Sequence, residues 1–82
     1  MNTYYVYLTD TFGGDLNYSW VTKLKVKANS IHGVLCKVSR VTGLNFRAEI
    51  PGEIYISKSG ATGLVIDDEE FLSYDYSDAE VI

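Results

Sequence analysis

An α+β domain, an antiparallel sheet with one helix packed on one of its faces, is what this sequence predicts, and three observations predict it. Two stretches, Thr3 to Thr9 and Tyr18 to Ala28, alternate side chains with the period of two that belongs to strands. One stretch, Ile31 to Val41, repeats its apolar residues at helical spacing. The rest, up to residue 66, consists of short β-rich runs separated by turn residues. A chain of 82 residues holds one such domain, because at this size roughly two-thirds of the unfolded surface can be buried.

The first strand sets Tyr4, Val6 and Leu8 on one side and Tyr5, Tyr7 and Thr9 on the other. Asp10-Thr-Phe-Gly-Gly-Asp15 supplies glycines that accept positive φ, so a loop of several residues is expected to reverse the chain there. In the second strand Trp20, Thr22, Leu24 and Val26 share one face, and Lys23, Lys25 and Lys27 share the other. Asn29-Ser30 offers an N-cap, and Ile31, Val34, Leu35, Val38 and Val41 form the apolar stripe of a helix that Gly43 ends. Gly33 weakens that helix by up to ~1 kcal/mol relative to alanine, so the helix must be stabilised by packing on the sheet.

Leu44, Phe46, Ala48 and Ile50 then alternate with polar residues in a third strand, which ends at the Pro51-Gly52 turn. Glu53 to Lys58 and Ala61 to Ile66 form a last hairpin about Ser59-Gly60. The expected order is β-β-α-β-β-β within a compact domain of residues 1–66. The sheet face away from the helix is expected to stay wet. Residues 67–82 are set apart as an acidic segment that can pack on the domain.

Charge divides the chain the same way. Through Ile66, seven bases face four acids, a balance of +3, whereas residues 67–82 carry seven acids and no base, a balance of −7. The single cysteine, Cys36, has no disulfide partner, which points to a reducing compartment, and no stretch approaches the ~20 apolar residues of a membrane span. Together with the absence of a basic, apolar leader, this makes the cytoplasm the expected location.

Catalytic chemistry has little to work with. His32 and Cys36 stand four apart on the helix and supply only half of a metal site, so no metal and no cofactor is expected. Gly13-Gly14 lacks the following helix and lysine of a phosphate loop and is assigned to a turn. The lone histidine has no carboxylate in sequence to orient it as a base, and enzymatic activity is not expected.

Two binding surfaces remain. Lys23, Lys25 and Lys27 lie ~7 Å apart along a strand. Beside Tyr5 and Tyr7 they would suit a single-stranded nucleic acid. The second surface is Asp67, Asp68, Glu69, Glu70, Asp75, Asp78 and Glu80, interleaved with Tyr74 and Tyr76. As a helix this segment would carry one negative charge per ~3.4 Å, and fully extended one per ~7.5 Å; a DNA strand carries one per ~3.4 Å of axis. Its charge density is of the order needed to imitate a phosphate backbone, with the tyrosines as apolar anchors. A third possibility is a small structural homo-oligomer joined through a sheet edge or the wet face.

The stretch Asp10-Thr-Phe-Gly-Gly-Asp-Leu-Asn-Tyr-Ser-Trp-Val21, followed by a basic strand and a short helix, resembles small proteins of phages and mobile elements. The whole chain, with its small size and acidic patch, is similar in style to DNA-mimicking anti-CRISPR proteins. The resemblance implies a stoichiometric inhibitor in a bacterial cytoplasm that binds a basic DNA-binding protein or a CRISPR effector subunit. It implies Asp67, Asp68, Glu69, Glu70, Asp75, Asp78 and Glu80 as contacts.

Overall fold

The computed structural model describes residues 1–12 and 15–82. The chain is α+β: β1 (Asn2–Phe12), β2 (Asp15–Ala28), α1 (Ile31–Thr42), β3 (Phe46–Ile50), β4 (Ile54–Ser57), β5 (Thr62–Ile66) and β6 (Glu80–Val81). The strands form one sheet in the order β3-β4-β5-β1-β2-β6, antiparallel throughout except for the β2/β6 pair.

On one face, Val6 and Leu8 of β1, Leu24, Val26 and Ala28 of β2, Tyr55 of β4 and Leu64 of β5 pack with Val34 and Val38 of α1. The helix holds there because its ends are satisfied. The Ser30 side chain accepts from the Gly33 N–H at 3.3 Å, and Gly43, at φ 73°, closes the C-terminus by donating to the Ser39 carbonyl at 2.8 Å.

Four expectations need correction. The first hairpin has no loop of several residues: the β1/β2 ladder continues to Phe12↔Asp15, and the turn assigned to Gly13-Gly14 lies outside the described residues. Trp20 does not join Leu24 and Val26 in the core and is 45% exposed. The ladder passes from Thr9↔Val21 straight to Asp10↔Asn17, so Trp20 falls in a bulge, and β2 is buried only at Leu24, Val26 and Ala28, the end that α1 covers.

The strict alternation expected for the third strand also fails. An irregularity between Ala48 and Ile50 sets Ile50 opposite Ile54, whose partner Val65 pairs with Tyr7, on the face away from the helix. Lastly, that second face is not wet. Tyr7 is 6% exposed, and residues 67–79 cross over it as a strap before the chain adds β6, a strand that alternation did not announce. Parallel pairing of β6 follows from the route: β5 and β2 both run antiparallel to β1, so a strap leading from β5 to the outer edge of β2 delivers a parallel strand.

Candidate functional site

An acidic strap lies across an aromatic and basic sheet face. Residues two apart on a strand share a face, so Tyr5 and Tyr7 point away from the helix, opposite Lys25 and Lys23 of β2. Tyr76 meets Tyr5 edge to face at 5.2 Å between ring centroids, and Tyr74 meets Tyr7 in the same way at 4.9 Å. Spacing of two on the strap thus matches spacing of two on β1. Lys23 fixes the far part of the strap, its Nζ donating to the Asp75 carbonyl at 2.6 Å and pairing with Asp78 Oδ1 at 3.2 Å. The Ile82 N–H donates to the Lys25 carbonyl and the Lys27 N–H to the Ile82 carbonyl, both at 2.9 Å, and this anchors the end.

Of the nine strap residues singled out from sequence, several build the strap and do not face a partner. The Asp67 carboxylate accepts from the Ser73 N–H at 2.7 Å, the Ser73 hydroxyl at 3.0 Å, the Tyr76 hydroxyl at 3.0 Å and the Asp68 N–H at 3.0 Å. Tyr76 is 3% exposed and Tyr74 half-buried. Burial, and then the bond to Asp67, push the Tyr76 hydroxyl far above the usual phenol range, so it stays a donor. Tyr7 is pushed up as well, by burial and by Tyr18.

Asp68 accepts from the Glu70 N–H at 2.9 Å, while the Phe71 N–H donates to the Asp68 carbonyl at 3.2 Å, closing a tight turn. Asp75 makes a similar turn by accepting from the Ser77 N–H, and that bond holds its carboxyl below the ordinary range. Asp68, Glu69, Glu70, Asp75, Asp78 and Glu80 all remain exposed. Among the described residues, Glu69, Glu70 and Glu80 make no side-chain hydrogen bond or ion pair.

Tyr5, Tyr7 and Lys23, expected to form an open platform for single-stranded nucleic acid, lie beneath the strap. Lys25 is half-buried, and of the three lysines only Lys27 is exposed.

Sequence reasoning missed a second feature, a groove of about 610 Å³ between the outer side of α1 and the start of β3, lined by His32, Leu35, Arg40, Phe46 and Lys58 among others. The signal was present: no acid occurs between Asp15 and Glu49. Cys36 also lines this groove, with its Sγ 3.5 Å from His32 Nε2. Among the described residues no three His, Cys, Asp or Glu side chains gather as a metal site, and no helix is long and apolar enough to cross a membrane. Comparison with known proteins finds no matching family model, no similar curated protein and no similar solved structure.

Proposed function

We propose that this protein is a non-enzymatic, phage-type inhibitor, similar in action to DNA-mimicking anti-CRISPR proteins. It occupies the DNA-binding groove of a bacterial nuclease or surveillance complex in the host cytoplasm. The single observation that supports this is the fixation of the strap. Tyr76 is sunk to 3% exposure on Tyr5 while carboxylates of Asp68, Glu69, Glu70, Asp75, Asp78 and Glu80 face outward.

Fixation matters because an exposed ion pair contributes only about 0.2–1 kcal/mol once the loss of side-chain entropy has been subtracted. A strap backbone that is already fixed need not be ordered on binding, so the carboxylates it carries meet a cationic groove at a smaller entropic loss, and a concentrated negative field raises association rates by about 10–10³-fold. Glu69, Glu70 and Glu80 serve only the surface, whereas Asp67 and Tyr76 serve the scaffold beneath it.

Binding is tested with the E69K/E70K/E80K variant, which leaves the turn-making Asp67, Asp68 and Asp75 in place. Wild-type protein on a resin should capture a DNA-binding protein from phage-infected bacterial lysate, and double-stranded DNA should compete it off. The triple variant should keep the wild-type urea midpoint and lose that capture. Capture that survives both the charge reversal and the DNA competitor defeats the proposal.

A further inference from the structure

We infer that the cationic groove beside α1 receives the acidic turn of a second copy of this chain, so that molecules associate head to tail. The groove presents His32, Arg40 and Lys58 with Asn45 over a half-buried apolar floor of Leu35 and Phe46. Its helix wall carries no acid, and neither does any residue between Asp15 and Glu49. A cationic groove with an apolar floor selects an acidic segment that also offers an apolar side chain.

The strap has such a segment. The turn closed by Asp68 projects Glu69 and Glu70, and next to them stands Phe71, 78% exposed, with Leu72 also exposed. Phe71, like Phe12 at the end of β1, is a large aromatic that neither face of the sheet buries, and of the two it is the one that directly follows a pair of exposed carboxylates. Charge complementarity and an unclaimed aromatic anchor together favour this occupant.

The two surfaces cannot meet within one molecule. The Asp67 N–H is bonded to the Tyr5 carbonyl, so the acidic turn leaves the sheet at the end where β1 begins and on the face away from α1. Lys58 follows the Ser57 end of β4, at the other end of β5, and the groove lies on the helix side. Two different surfaces on opposite faces make the contact heterologous, so it propagates from copy to copy. It also sets self-association against partner binding, because both use Glu69 and Glu70.

Light scattering over a concentration series at low and high salt provides the test, since screening weakens exposed charge pairs. Wild-type mass should rise with concentration at low salt and return to the monomer at high salt. R40Q/K58Q, which keeps only the acidic turn, and E69Q/E70Q/F71A, which keeps only the groove, should each remain monomeric. Mixed in equal amounts they should double in mass and grow no further, because each has one intact surface. Wild-type protein that stays monomeric throughout, or a mixture no heavier than its components, overturns the inference. So does a labelled oligonucleotide that binds wild type but not R40Q/K58Q while self-association is unchanged. R40Q/K58Q keeps every outward carboxylate, so its DNA-competed capture from lysate reports on the inhibitor proposal separately.

Discussion

Asp67 shows how one side chain can order a segment that has almost no regular structure. Its carboxylate gathers two backbone N–H groups and two hydroxyls, from Asp68, Ser73 and Tyr76, over a stretch that lacks a helix or a strand ladder to satisfy them. A hydrogen bond to a charged group contributes about 1.5–3 kcal/mol, and of these four only the bond from the Tyr76 hydroxyl is shielded from water that would replace the carboxylate. Asp67→Ala should therefore lower stability by about 2–3 kcal/mol, read as a fall in urea midpoint, with quenched near-ultraviolet circular dichroism from Tyr76. Asp78, whose side chain is 80% exposed opposite Lys23, sits at the other extreme and contributes little.

Among the elements, α1 depends on its caps because its sequence does little else for it. Gly33 sits in its first turn, no acid offsets the N-terminal dipole, and only Val34 and Val38 are fully buried. Ser30→Ala removes the acceptor for the Gly33 N–H and should cost about 1 kcal/mol, measured by chemical denaturation. Gly33 also has a positive reason to be glycine, since a Cβ there would stand 3.1 Å from Ala28 Cβ, where the helix crosses the end of β2. At the other edge of the sheet, the irregularity in β3 bends a strand that would otherwise present an open pairing surface. β6 is two residues long and would not stand alone, and the tyrosine contacts and Lys23 bring it to β2.

For the molecule as a whole, three layers result, helix, sheet and strap, with the bases on the first two and acid concentrated on the last. Its pH response follows from the strap layer. Tyr7 and Tyr76 have their pKa raised in the folded state, so the unfolded chain ionises first. The stability they contribute is complete below the unfolded value of about 10 and declines as pH rises beyond it. Asp75 has its pKa lowered, so its small share is present above about 3.9 and is lost as pH falls through the folded value. Denaturant midpoints measured against pH should be flat between these limits and fall on the alkaline side, less steeply in Tyr76→Phe.

The sequence alone determined the α+β class, the helix at Ile31–Thr42 between its Ser30 and Gly43 caps, and the concentration of acid beyond Ile66. Each of these is written in neighbours no more than a few residues apart, as periodicity, caps and local charge. Tertiary structure decided that Trp20 lies outside the core, that Ile50 changes face and that Tyr5 and Tyr7 are covered. It also sorted the acids into those that shape the strap and those that face outward. The covering of Tyr5 and Tyr7 and the sorting of the acids turn on contacts such as Tyr5 with Tyr76 and Lys23 with Asp78, between residues more than fifty positions apart. No local pattern carries that information, because burial of one aromatic depends on which distant segment the chain's route lays over it.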